Sequence, residues 1–330
     1  MTDLIIKSQD IIERVLTLEF VRVAERAAVA AARLRGRGDE KLADKAAVDA
    51  MRRELNRLPI EGTIVIGEGE RDEAPMLFIG EEVGTKLGPK IDIAVDPLEG
   101  TTLCAKDMPG SIAVFSAAAS GTLLHAPDVY MDKIAIGPGY PQGVVDLDAS
   151  PEDNIHALAK AKGVKPSEIT VLAMDRPRHE NLIAAIRRTG AGLRLITDGD
   201  VVGIILTTEP ESGIDLYLGI GAAPEGVLAA SALRCVGGQM QGRLVLDTEA
   251  KIERAAKMGV TDPKKKFDLT ELASGDTTFV ATGVTDGALL KGVKFRKDAI
   301  ETETIIYRSK TRTVRRIAAI HRDFEKFRLD

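Results

Sequence analysis

Carboxylates set beside glycines carry most of the chemistry this sequence can do. The stretch Gly67-Glu68-Gly69-Glu70-Arg71-Asp72-Glu73 follows the apolar run Thr63 to Ile66 and holds four acids in six positions. Like charges so close repel unless a cation or water disperses them. Glycines at 67 and 69 let the backbone bend sharply there. A solvated acidic turn is the alternative reading of this segment alone.

A second group narrows the choice. Asp92-Ile-Ala-Val-Asp96-Pro97-Leu98-Glu99-Gly100-Thr101-Thr102 leaves an apolar strand and enters a turn. Pro97 fixes φ, and Gly100 lets backbone approach a ligand closely. Thr101 or Thr102 suits the cap of a short helix toward Lys106. The first N–H groups of such a helix can receive a phosphate. Asp96 and Glu99 would sit beside that phosphate, which makes sense only with metal ions between them. Oxygen-only ligands imply a hard cation, Mg²⁺ or Mn²⁺, rather than zinc.

The third group, Gly219-Ile-Gly221-Ala-Ala-Pro224-Glu225-Gly226, also follows a strand. Pro224 fits a first helical position, and Glu225 could aim a carboxylate at the same cations. Two other readings stay open: a plain helix cap, and a dinucleotide fingerprint in which Pro224 replaces the third glycine.

Composition excludes several other chemistries. Cys104 and Cys235 build neither a disulfide framework nor a Cys-rich zinc site. His125, His156, His179 and His321 are scattered, with no His-x-x-x-His pair. A formal net charge of -5 and no Trp argue against nucleic acid as a partner. No apolar run reaches transmembrane length, so no membrane partner is expected. Acids throughout the first 30 residues argue against a targeting peptide, and the expectation is a cytoplasmic protein.

These groups need elements to hold them. Apolar periodicity predicts helices over Ser8–Leu34 and Leu42–Leu58, the second ended by Pro59. Strands are expected at 62–67, 91–95, 111–118 and 132–136. Pro138 to Pro151, with three prolines and two glycines, is the best linker candidate. Beyond it, helices at 152–162, 180–189, 200–207 and 224–236 alternate with strands at 169–174, 192–197 and 215–220, which suggests a second α/β domain. Thr313 to Phe327 reads as a basic amphipathic helix with a solvated face. Cys104 reads as a small core residue. The expected domains are 1–145, holding the metal and phosphate loops, and 146–312, binding the sugar phosphate. A C-terminal helix at 313–330 would pack on the first.

The string Asp96-Pro97-Leu98-Glu99-Gly100-Thr101 resembles the metal motif of the lithium-sensitive, metal-dependent sugar and inositol phosphatases, which usually carry Asp where Glu99 stands. With Glu there, and with Gly67-Glu-Gly-Glu-Arg-Asp-Glu-Ala-Pro-Met76 and Gly221-Ala-Ala-Pro-Glu-Gly226, the chain is similar to class II fructose-1,6-bisphosphatases from Asp10 to about Phe327. The resemblance implies a layered α/β/α/β/α sandwich: two α/β domains with the active site between them. It implies Asp44, Glu68, Asp96, Glu99, Glu225 and the Leu98 carbonyl as metal ligands. Asp72 and Thr101 match the pair that activates the attacking water, with Glu70 near them; Thr101 as direct nucleophile stays open. Glu99 borders the substrate, and Gly100, Thr101 and Thr102 would cradle the phosphate. Tyr130, Arg176, Arg178, Asp198, Asp200 and Gly221 match contacts to the sugar and its second phosphate. The family often has Lys at the Arg176 position, and a Lys where Glu40 follows Gly38-Asp39; Lys41 is one position on.

The implied activity is hydrolysis of fructose 1,6-bisphosphate to fructose 6-phosphate in gluconeogenesis. The partner would be a small-molecule sugar bisphosphate, and the assembly a homo-oligomer, dimer or tetramer. The nearest alternative is a dual enzyme that also cleaves sedoheptulose 1,7-bisphosphate. An inositol monophosphatase-like enzyme would not need the arginines. A non-catalytic sugar-phosphate sensor is a third alternative, against which all the metal acids and Thr101 are present.

Overall fold

The computed structural model describes residues 15–69 and 76–328. Glu70, Asp72 and the start of the first expected helix lie outside the described residues. The chain divides into two compact units, Met1–Leu123 with Gly275–Asp330, and Leu124–Ser274. Each is a mixed α/β structure built on one mixed sheet.

The first unit opens with helices α1 (Thr17–Ala32) and α2 (Glu40–Leu55). α1 is alanine-rich and buried over most of its surface, so it can lie close against its neighbours. The Asp39 carboxylate accepts the Leu42 N–H at 2.9 Å and starts α2. Both helices pack on a sheet with strand order β12-β13-β11-β4-β3-β1-β2 and with β14 added to β13. The strands are β1 (Glu61–Ile66), β2 (Glu82–Val83), β3 (Lys90–Glu99), β4 (Ile112–Ala119), β11 (Thr277–Gly283), β12 (Lys294–Phe295), β13 (Ile300–Arg308) and β14 (Thr313–His321). β1 and β3 are parallel; every other pairing in this sheet is antiparallel. Phe20 of α1 meets Phe115 of β4 edge-on at 5.5 Å, in a core shared with Met51, Leu55, Ile64 and Ile93. One short helix, α3 (Thr101–Ala105), follows β3 directly.

The second unit has a sheet ordered β10-β9-β5-β8-β6-β7. Its strands are β5 (Tyr130–Ile136), β6 (Thr170–Met174), β7 (Gly192–Ile196), β8 (Leu216–Ala222), β9 (Gln239–Leu244) and β10 (Lys266–Asp268). β6 is parallel to β7 and β8, the arrangement that the β-α alternation implied. Helices α4 (Pro151–Lys162), α5 (Glu180–Arg188), α6 (Asp200–Ile205), α7 (Ala223–Val236), α8 (Glu249–Lys257) and α9 (Leu269–Leu272) complete it. Ile134, Ile155, Leu158, Val171, Ile186 and Leu216 form its core.

Three expectations need correction. Residues 313–321 form strand β14, not a helix: β13 supplies a nine-residue antiparallel partner that outweighs local periodicity. The first unit therefore regains the chain at Gly275, well before residue 313. Pro138–Pro151 is not the linker, because it is fastened inside the second unit. Asn154 exchanges hydrogen bonds with the Asp146 backbone at 2.8 and 2.9 Å. The Gln239 amide donates to Tyr140 O at 2.9 Å, and Leu147 N–H donates to the Gln241 side chain at 2.7 Å. Among the described residues, no helix is long and apolar enough to cross a membrane.

Candidate active site

In the first unit the acids gather where β3 breaks step with β4. Asp96 pairs with Val114 but Glu99 pairs with Ile112, so β3 carries one extra residue between them. This β-bulge falls on Pro97, which has no N–H to give a ladder. The Asp96 carboxylate accepts the Leu98 N–H at 3.1 Å and holds the turn. Asp96 and Glu99 thereby present carboxylate oxygens within 4.8 Å of each other, Asp96 half-buried and Glu99 buried. Two carboxylates at this spacing repel each other unless a cation lies close by.

Gly100 follows in the left-handed region at φ 77°, which a side chain would strain, and caps α3. The first helical bond runs from Cys104 N–H to Gly100 O, so the amides of Thr101 and Thr102 precede any intrahelical acceptor. Both threonines are half-buried. The Ser111 hydroxyl donates to Glu99 O at 3.0 Å and fixes the turn to β4. At the other end of α3, Gly36 and Gly38 N–H groups bind the Cys104 and Ala105 carbonyls, each at 2.9 Å. The turn between α1 and α2 thus holds α3 from behind. Cys104 is buried, and burial pushes its thiol up to about 11, as a core residue.

Glu68 stands two residues past β1, at the same sheet end as Asp96, because β1 and β3 are parallel neighbours. Its loop closes by Glu68 N–H to Leu77 O at 3.0 Å. A Cβ at Gly67 would lie 2.0 Å from Leu77 O, so only glycine permits that approach. Glu81 steadies the loop: it accepts Leu77 N–H and, at 2.5 Å, the Arg52 guanidinium of α2. Asp44 lies on α2, which packs against β3 and α3. Burial raises the pKa of the Asp44 carboxyl above the ordinary carboxylate value. Neither Asp44 nor Glu68 joins Asp96 and Glu99 within 4.8 Å.

In the second unit the expected substrate residues lie at the ends of β5, β6, β7 and β8. The Arg178 guanidinium lies 4.7 Å from the Tyr130 ring centroid and donates from Nε and Nη2 to Ile220 O at 2.9 and 2.7 Å. Three of its five N–H donors remain for a ligand. Arg176 instead lines a cavity of about 520 Å³ with Glu180 and Arg187, so the two arginines have different surroundings. Asp198 is half-buried and accepts the Gly199 N–H at 3.1 Å. Glu225 is half-buried in the first turn of α7, where the helix dipole favours a carboxylate.

Asp200 differs from expectation in its surroundings. Its carboxylate is buried and bound by Lys133 Nζ at 2.5 Å, and Lys133 also donates to Ala222 O at 2.8 Å. A Cβ at Gly221 would sit 1.9 Å from that carboxylate and 3.0 Å from the Lys133 ammonium. Gly221 therefore roofs a buried ion pair. Sequence reasoning gave Lys133 no role; its signal was a charge on the same strand face as buried Met131. His179 was missed in the same way. Its Nε2 accepts Ile220 N–H and its Nδ1 donates to Met174 O, both at 2.8 Å, so the ring is neutral. Burial pushes its pKa below the ordinary histidine range, outweighing the bond to Met174.

A family model described as bacterial fructose-1,6-bisphosphatase, glpX-encoded, matches residues 14–321. A Synechococcus sp. (strain JA-3-3Ab) protein named D-fructose 1,6-bisphosphatase class 2/sedoheptulose 1,7-bisphosphatase is 47% identical over 331 residues, covering 93% of this chain and 95% of its own. A protein of the same name from Prochlorococcus marinus (strain NATL1A) is 45% identical over 323 residues, covering 94% and 96%.

Two outcomes test this geometry. Gly221→Ala should lower stability by about 1–3 kcal/mol, because neither member of the buried pair can yield cheaply; an unchanged urea midpoint would contradict it. For His179 the folded pKa lies below the unfolded one, so its contribution is whole above about pH 6.5 and is lost as pH falls through the folded value. The urea midpoint should fall more steeply on acidification in the wild type than in His179→Gln, and equal slopes would refute this.

Proposed function

The chain belongs to the bacterial, glpX-encoded fructose-1,6-bisphosphatase family and is a phosphoric monoester hydrolase, and from that premise we propose that it removes the 1-phosphate of fructose 1,6-bisphosphate using Mg²⁺ or Mn²⁺. The product is fructose 6-phosphate, as gluconeogenesis requires. The observation that carries this reading is the Asp96–Glu99 pair on a bulge that runs straight into the free amides of α3. The donor set fits a hard divalent cation, being oxygen throughout.

Asp96 and Glu99 would hold the cations, with Asp44, Glu68, Glu225 and the Leu98 carbonyl as further ligands by family resemblance. Bound there, divalent cations neutralise phosphoryl charge, acidify water and stabilise the leaving alkoxide. The chain's own groups do the rest. Glu99 and the amides of Gly100, Thr101 and Thr102 border the 1-phosphate. By family resemblance Asp72 would take the Thr101 proton, Thr101 would orient or deprotonate the attacking water, and Glu70 would serve as a further acid of the same site. Arg178, stacked on Tyr130, and Arg176 bind the distal phosphate and set the orientation of C1. Asp198 and the Gly221 backbone hold the sugar. Asp200 acts by fixing that backbone, since its carboxylate is already bound by Lys133.

The names of the relatives favour a second reading, in which the chain also cleaves sedoheptulose 1,7-bisphosphate in a pentose-phosphate or Calvin-type cycle. The two substrates share a phosphorylated C1 and a distal phosphate. Phosphate release should be measured from both sugars and from inositol monophosphate, with Mg²⁺, with Mn²⁺ and with chelator. We expect release from the bisphosphates only, abolished by chelator, with the ratio of rates naming the substrate. Asp96→Asn should lower turnover at least about 100-fold, since removing even outer partners of a metal site costs about 10–100-fold. Chelator-resistant release, or near-normal turnover in Asp96→Asn, would overturn the assignment.

A further inference from the structure

Strand β14 pairs with β13 along all nine of its residues, Thr313–His321, without a shift in register. Its outer edge has no strand partner among the described residues. An open edge of this length is a template for another strand, and proteins guard such edges with proline, bulges or charge. β14 has no proline and no bulge, and its charge is confined to Arg315 and Arg316. Its residues alternate between two faces. Val314, Arg316, Ala318 and Ile320 line one face, with Val314 43% and Ile320 63% exposed. Thr313, Arg315, Ile317, Ala319 and His321 line the other.

The strand is also rigidly held, so pairing needs little ordering. His321 is buried, and its Nε2 lies 2.9 Å from the Thr302 hydroxyl, which donates to Glu25 of α1 at 2.9 Å. Arg316 donates to Leu289 O at 2.6 Å.

We propose that β14 pairs antiparallel with β14 of a second copy of this chain, about a two-fold axis through Ile317. Ile317 is the midpoint of the strand, so this register alone overlaps all nine residues. It sets Val314 against Ile320 of the second copy, Arg315 against Ala319 and Arg316 against Ala318. Each arginine faces an alanine, and the two exposed apolar side chains cover each other. Neighbouring registers are worse. Centring on residue 315 or 316 sets an arginine against itself. Centring on 318 opposes Arg315 to His321, and centring on 319 opposes Arg316 to Arg322. In the favoured register Arg312 and Arg322 meet only beyond the strand. There Arg312 leaves its line in a left-handed turn at φ 47°, and Arg322 is paired with Asp298 at 3.4 Å. The pairing would add about eight to ten main-chain hydrogen bonds. Two-fold closure uses up each edge once, which prevents open-ended growth.

Sedimentation of the full chain tests this. The wild type should have an even multiple of its 35.4 kDa chain mass. Ala318→Arg sets arginine against Arg316 twice per pair, and should halve the mass or raise the dissociation constant about tenfold or more. Ala318→Glu, which offers Arg316 a partner, should keep the wild-type mass. Amide exchange along β14 should slow as wild-type concentration rises and stay concentration-independent in Ala318→Arg. A monomeric wild type, an Ala318→Arg mass equal to wild type, or concentration-independent exchange in the wild type would each overturn the proposal. A monomer that pairs only with an added extended peptide would assign the edge to a different partner and overturn it as well.

Discussion

One extra residue in β3 sets the geometry of the first unit's site. Had β3 and β4 stayed in step from Asp92 to Ile112, the side chains would have alternated without interruption across the sheet. The bulge at Pro97 breaks that alternation and brings Asp96 and Glu99 together. It also turns the chain so that Gly100, in the left-handed region, opens α3 at once. The carboxylates and the free amides are then consecutive in sequence and fixed by the same backbone. Neighbouring parts serve this arrangement: Ser111 fastens Glu99, the α1–α2 turn binds the back of α3, and the Arg52–Glu81 contact steadies the loop after β1.

The second unit is governed by buried polarity of another kind. Lys133 and Asp200 face each other in a packed interior, where removing one partner costs about 3–5 kcal/mol. A pair so costly to disturb makes a rigid floor, and Gly221 is the strand residue that lies against it. His179 does similar work one strand over, bridging the Met174 carbonyl and the Ile220 N–H, while Arg178 beside it donates to the Ile220 carbonyl. The contacts expected to meet sugar and distal phosphate therefore stand on buried, hydrogen-bonded supports rather than on free loops.

How legible each part was follows from how local its cause is. The Asp96-to-Thr102 string could be read because proline, glycine and a helix start act over a few residues. The elements from β1 to α7, the two-residue β2 apart, could be read for the same reason, by period and punctuation. β14 could not. Val314, Ile317 and Ile320 recur at three-residue spacing and mimic a helix face, while the strand is imposed by β13. Pro138–Pro151 has linker composition, yet Asn154 of the adjoining helix and Gln239 and Gln241 of distant β9 bind its backbone. Lys133 and His179 stayed hidden because their partners, Asp200 and Ile220, lie 67 and 41 residues away.

The central claim is that the bulged Asp96–Glu99 pair is a cation site. The most direct test is Mn²⁺ binding, followed by loss of the free-ion paramagnetic resonance signal, in the wild type and in Glu99→Gln. The substitution keeps the shape and removes one charge. We expect an unchanged fold by circular dichroism and Mn²⁺ affinity at least about tenfold weaker in the variant. Equal Mn²⁺ affinity in the two proteins would contradict the account.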